Sequence, residues 1–184
     1  MEQPILQTVH LLLRPFTLSD AADVQRLAGA GEVADMTLNV PHPYQDGMAE
    51  QWVGGHSERL ASGSLITYAI ALQENEMLTG AVGLTVTPMN RRAELGYWLG
   101  VPYWNQGYMT EAASALINYG FTGMGLHKIT ASHFARNPAS GRVMQKIGMV
   151  QEGLLRQDAR KGDGFEDIVI YGLLAAEWLG GTRA

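Results

Sequence analysis

Between Arg91 and Phe121 the chain changes its side-chain period, and a single glycine marks the change. From Arg91 to Gly100 the residues alternate, with Ala93, Leu95, Tyr97 and Leu99 on one face and Arg92, Glu94, Gly96 and Trp98 on the other, as in a strand. After Gly107 the apolar positions Met109, Ala112, Ala113, Leu116, Ile117, Gly120 and Phe121 recur at helical spacing. A strand that runs through a glycine turn into a helix leaves the first N–H groups of that helix without internal partners, and they point at whatever occupies the turn. The helix dipole adds partial positive charge, so such a turn can hold a phosphate or pyrophosphate without lysine. Alone it is also an ordinary connection, and both readings stay open at this point.

The flanking segments extend the pattern. Residues 10–16 read as a first strand, and Ser19 and Asp20 can cap a helix with Ala21, Val24, Leu27 and Ala28 inside. The stretch 39–47 reads as a loop, and Asp46 opens a second helix that turns Met48, Trp52, Leu60 and the stem of Arg59 toward the core, weakened at Gly54-Gly55. Strand-like runs at 65–72 and 77–87 precede the 91–100 strand, and their short connections imply an antiparallel meander. A further strand spans 128–134. Asn137-Pro138 then caps a helix with Val143, Met144 and Ile147 inside, ended by Gly148, and strands near 149–157 and 165–174 follow. The layout is α+β with a mixed sheet.

Composition narrows the chemistry. With 184 residues and 46% apolar content the chain can bury one core, and residues 1–184 are read as a single domain without linker or repeat. No cysteine is present, which excludes disulfides, thiol nucleophiles and thiolate metal sites and suits a reducing cytoplasm. Histidines 10, 42, 56, 127 and 133 lack metal-ligand spacing, so no metal is expected. The net charge of −5 disfavours a nucleic-acid partner and is compatible with a cationic substrate. No run reaches bilayer-spanning length and the start lacks a leader pattern, so no membrane partner is expected. Gly-Lys-Ser/Thr and Gly-x-Gly-x-x-Gly motifs are both missing, which argues against a nucleotide P-loop or a dinucleotide fold.

Four segments in register add specificity: Arg-Arg-Ala-Glu-Leu-Gly-Tyr-Trp-Leu at 91–99, Tyr-Trp-Asn-Gln-Gly-Tyr-Met-Thr-Glu-Ala at 103–112, Gly-Leu-His-Lys-Ile-Thr-Ala at 125–131, and Asn-Pro-Ala-Ser-Gly-Arg-Val-Met-Gln-Lys-Ile-Gly at 137–148. They resemble the GNAT superfamily of N-acetyltransferases in its RimJ/RimL-like branch, and the likeness covers nearly the whole chain. It implies the GNAT fold, a mixed and mostly antiparallel sheet of roughly seven strands flanked by about four helices, with central strands splayed to hold acetyl-CoA. It also implies acetyl transfer to a primary amine by direct attack.

The resemblance carries roles to particular residues. The backbone at Leu99, Gly100 and Val101 binds the pantetheine arm, and Trp104, Asn105, Gln106, Gly107, Tyr108, Met109 and Thr110 form the pyrophosphate loop. Asn137 matches an asparagine that hydrogen-bonds the cofactor's arm, and Ser140 a hydroxyl near the thioester sulfur, where it could protonate the departing thiolate. Glu94 is read either as a base facing the amine or as a solvated charge. Asn105 stands where relatives have glycine, Met109 where they have a small residue, and Ala159 where some have a helping carboxylate. The acceptor is read as a protein N-terminus or a small amine such as a polyamine, amino acid or aminoglycoside; a non-catalytic acyl-CoA-binding regulatory module is the rival. Pairing of two copies through the final strands is also implied.

Overall fold

A computed structural model describes residues 2–180. Its centre is one eight-stranded sheet: β1 (Leu6–Gln7), β2 (Leu11–Pro15), β3 (Leu65–Leu72), β4 (Leu78–Thr87), β5 (Arg92–Leu99), β6 (Lys128–Phe134), β7 (Val150–Lys161) and β8 (Gly164–Leu174). The spatial order is β1-β2-β3-β4-β5-β6-β8-β7. Every neighbouring pair is antiparallel except β5 and β6. The strand beyond the expected seven is β1, whose two residues are too short to show any period.

Among the described residues the helices are α1 (Ala21–Ala28), α2 (Gly31–Asp35), α3 (Met48–Gly54), α4 (His56–Ala61), α5 (Tyr108–Thr122), α6 (Pro138–Lys146) and α7 (Ala175–Gly180). The helix expected after Asp46 is two helices that meet at Gly55, and Gly47, at φ 84°, occupies the N-cap. Ala49 and Val53, rather than Met48 and Trp52, are the fully buried positions of α3, and α4 buries none. At the first helix Thr17 precedes a single 3₁₀ turn. The Asp20 carboxylate accepts from the Thr17 N–H and from both terminal nitrogens of Arg14, at 2.7–2.8 Å. Those bonds outweigh desolvation and hold Asp20 below the usual carboxylate range.

Both faces of the central strands are covered, so β3 and most of β4 are continuously buried rather than alternating. On one face Leu13, Ile66, Tyr68 and Leu84 pack with Leu116 and Ile117 of α5. Each of the leucines and isoleucines contributes about 1.5–3 kcal/mol by leaving water. On the other face Val24 and Leu27 of α1 and Val53 of α3 cover Ala69, Ala81 and Trp98. Trp98 shares its face of β5 with Glu94, yet α1 and α3 cover only the tryptophan end. β7 forms an outer edge and leaves Val150, Leu154 and Leu155 exposed.

His56 is wedged beside Phe16 and Trp52, with ring centroids 5.4 and 4.4 Å away. Neither ring nitrogen has a hydrogen-bond partner. Burial, with a smaller contribution from Arg59, pulls its pKa from 6.5 down to about 4. The unfolded chain therefore binds this proton first as pH falls: the stabilisation is complete above about 6.5 and is lost progressively toward about 4. The urea midpoint should fall over that window, and His56→Phe should flatten the fall; equal falls in both proteins would contradict the assignment.

Candidate active site

The parallel pairing of β5 and β6 stops early. Arg92 to Leu95 pair with Lys128 to Ala131, but β5 continues to Leu99 and β6 to Phe134 without each other. Past Leu95, the backbone groups on the β6 side of β5 have lost their ladder partners, and buried groups of that kind need others. A cleft of about 1250 Å³ opens there.

One end of the cleft is the turn into α5. Gly107 has φ 85° and Asn105 φ 61°, both in the left-handed region. Asparagine tolerates that conformation better than most side chains, which lets Asn105 stand where the resemblance implies a glycine. The Glu111 N–H donates to the Gly107 carbonyl, so the N–H groups of Tyr108, Met109 and Thr110 precede the helical ladder and face the turn. Met109 is 7% exposed and packs into the core with Ala112 and Ala113, so its bulk is directed away from the turn. Trp104 donates its indole N–H to the Leu99 carbonyl at 2.7 Å and braces the segment between strand and helix.

The candidates separate here. Glu94, Leu99, Trp104, Asn105, Gly107, Tyr108, Met109, Thr110, Asn137 and Ser140 all line the cleft, whereas Gly100, Val101 and Gln106 do not. Gly100 donates its N–H to the Thr79 carbonyl and has Leu27 where a Cβ would stand. Val101 packs with the α1–α3 cluster, and Gln106 donates to the Pro102 carbonyl.

Asn137 caps α6: its side-chain oxygen accepts from the Ser140 N–H at 3.2 Å, and its amide nitrogen donates to the Met36 carbonyl at 3.3 Å. The capping oxygen keeps a second lone pair for a cofactor amide. The Tyr97 and Ser140 hydroxyls lie 2.8 Å apart, a contact that spacing along the chain does not reveal. The Tyr97 hydroxyl also reaches the Ser140 carbonyl at 3.1 Å. Burial, only partly offset by that hydroxyl contact, pushes Tyr97 up to about 12, so it remains a proton donor at neutral pH. Glu94 is exposed and accepts from the Ser132 hydroxyl at 3.2 Å. Because Glu94 and Tyr97 are three residues apart on β5, they project from opposite faces of the gap. Ala159, where the resemblance implies the helping carboxylate of some relatives, is buried and offers no acid.

Among the described residues no helix is long and apolar enough to cross a membrane. The family pattern described as "Acetyltransferase (GNAT) domain" matches residues 10–150, most of the chain. The chain belongs to the GNAT acetyltransferase family. As a GNAT enzyme of RimJ/RimL-like type it is an acetyl-CoA-dependent N-acetyltransferase. It is 29% identical over 177 residues to the uncharacterized N-acetyltransferase p20 of Bacillus licheniformis, covering 95% of this chain and 98% of that protein. It is 30% identical over 100 residues to the ribosomal-protein-serine acetyltransferase of Escherichia coli, covering 54% of this chain and 55% of that protein. Among solved structures, a GNAT-family acetyltransferase from Bacillus anthracis superposes with a TM-score of 0.83 at 26% identity, over 95% of this chain and all of that one. A GNAT cleft of this kind suits acetyl-CoA: a gap between strands can pair with the amides of an extended arm, and a helix N-terminus can face its pyrophosphate.

Proposed function

We propose that this chain, a single cytoplasmic N-acetyltransferase domain, acetylates the free amine of a protein N-terminus, with acetyl-CoA and amine bound together. The observation that carries the reading is the coincidence in one cleft of the β5–β6 gap, the α5 turn, Glu94 and the Tyr97–Ser140 pair. The turn 104–110 would hold the pyrophosphate through backbone N–H groups, and the backbone from Leu99 together with Asn137 the pantetheine arm. Glu94 takes the proton of the incoming ammonium directly or through a water, and the neutral amine attacks the thioester carbonyl. N–H groups near Tyr97 to Leu99 receive the charge that develops on the carbonyl oxygen. Tyr97 turns its single proton from the Ser140 carbonyl to the Ser140 hydroxyl, whose own proton passes to the departing thiolate. The second proton lost by the attacking nitrogen returns through water to the serine.

The acceptor end supports a monoamine with an apolar body. Its wall carries Met36, Leu38, Val40, Tyr44 and Trp52, and its carboxylates are Glu32 and Glu94. Polyamines and aminoglycosides carry several ammonium groups that such a wall leaves unpaired. The name of the Escherichia coli relative, a ribosomal-protein-serine acetyltransferase, supports a protein acceptor over a small polycation. Peptides with apolar first residues should therefore be acetylated in preference to spermidine or kanamycin, and the reverse order by mass spectrometry would move the proposal to small polycations. Pairing of two copies along the exposed β7 edge belongs to the same reading, and sedimentation velocity decides it.

Ser140→Ala should lower kcat roughly 10-fold or more with little change in acetyl-CoA affinity. The cap bond uses the Ser140 backbone N–H and survives the substitution. Equal losses in binding and turnover would instead indicate damage to the α6 cap.

A further inference from the structure

Apart from Trp52 of α3, the acceptor wall lies in irregular chain between α2 and α3, and residues 36–41 all line the cleft. Irregular segments are held by few contacts and open easily unless something ties them down. Thr37 is tied to its own side, at the Val33 and Ala34 carbonyls, and the other side-chain ties of 36–41 come from the far side of the cleft. Arg136, in the turn between β6 and α6, grips Asp35 with both terminal nitrogens: Nη1 donates to Oδ2 at 2.8 Å and Nη2 to Oδ1 at 3.1 Å. Nη2 also donates to the Asp35 backbone carbonyl at 2.8 Å, and Nε donates to Glu166 of β8 at 2.8 Å. Two further donors take carbonyls of the same segment: Asn137 Nδ2 reaches Met36, and Lys161 Nζ reaches Val40 at 3.3 Å.

We propose that Arg136 is a positioning residue that clamps the end of α2 against the turn bearing Asn137 and Ser140, so that the acceptor wall keeps its place beside the reacting groups. The inference rests on the acetyltransferase reading for its kinetic consequence, but not for its structural one. An exposed ion pair alone contributes little, often less than about 1 kcal/mol. This arrangement differs because one planar guanidinium spends its N–H groups on two carboxylates and a backbone carbonyl, which a lysine cannot reproduce from one point. Glu166 fixes the guanidinium to the sheet, so the carbonyl of Asp35 is held relative to β8 rather than to another loop. Asp35 itself stands outside the cleft wall, whereas Arg136 is part of it. That difference separates clamping from direct contact with the acceptor.

The test uses Arg136→Met, Asp35→Asn and the double variant in the full chain. Hydrogen exchange followed by mass spectrometry should show residues 36–41 exchanging roughly tenfold faster in each single variant, with β5 and α5 unchanged. With a peptide acceptor, the KM for the acceptor should rise about tenfold in each while the acetyl-CoA Kd stays within about twofold, and the double variant should add little to either single one. Unchanged exchange at 36–41 would overturn the proposal. So would exchange that rises equally across β5 and α5, or a KM effect in Arg136→Met that Asp35→Asn fails to share, since that pattern means direct contact. If the unaltered protein fails to bind acetyl-CoA, the acetyltransferase reading falls while the exchange result still judges the clamp.

Discussion

Replacing Glu94 with glutamine lowers kcat/KM by roughly 10- to 100-fold at neutral pH, and the loss shrinks as pH rises. The reason is elementary: a primary amine is mostly protonated at neutral pH, and only its free lone pair attacks a thioester. The Glu94 carboxylate lines the cleft on the β5 face opposite Tyr97, beside the point where β5 and β6 part. Its hydrogen bond from Ser132 occupies one oxygen and leaves the other available. Glutamine keeps the size and can still accept from Ser132, but it neither takes a proton nor attracts a cation. At higher pH the free amine becomes abundant without help, so the variant recovers. A pH series of kcat/KM on one active peptide, with folding checked by circular dichroism, measures this. Superimposable profiles would make Glu94 a solvated charge on the sheet.

Gly107→Val should weaken acetyl-CoA binding at least tenfold, about 1.4 kcal/mol. The cause lies in the backbone. Gly107 caps α5 at φ 85°, and beyond its two chain neighbours no residue comes within 4 Å of the place a Cβ would take. A β-branched residue meets no clash inside the protein but resists that conformation by about 1–2 kcal/mol. It relaxes by rotating the turn, which misaims the N–H groups of Tyr108, Met109 and Thr110, and it places a branched side chain over the backbone that a phosphate must approach. Titration calorimetry on the folded variant gives the answer. Unaltered affinity would remove the 104–110 turn from the cofactor site.

Local signals carried most of the architecture. The bounds of β6 coincide with the 128–134 run, the 3.6-residue period found the buried face of α5, and Asn137-Pro138 marked the start of α6, because each depends on neighbours a few residues apart. The division at Gly55 was visible only as weakness, since two glycines lower helix propensity without saying which way the chain will turn. Most of the candidates that a motif carried line one cleft. It was not legible where contacts join distant segments: Tyr97 meets Ser140 across 43 positions and Arg136 meets Asp35 across 101. Gly100 shows the limit of reading along the chain, because its neighbour Leu99 lines the cleft while its own N–H goes to Thr79. The early end of the β5–β6 pairing is likewise a property of two strands taken together.

The central claim is direct acetyl transfer within a ternary complex. Initial velocities measured while acetyl-CoA and an apolar-first peptide are both varied, with mass spectrometry of peptide and protein at each end point, test it most directly. The account predicts intersecting reciprocal plots, one acetyl group gained at the peptide's amine, and none retained on the enzyme. Parallel plots with an acetylated protein, or acetyl-CoA that binds without any acetylated product across a panel of amines, would contradict it.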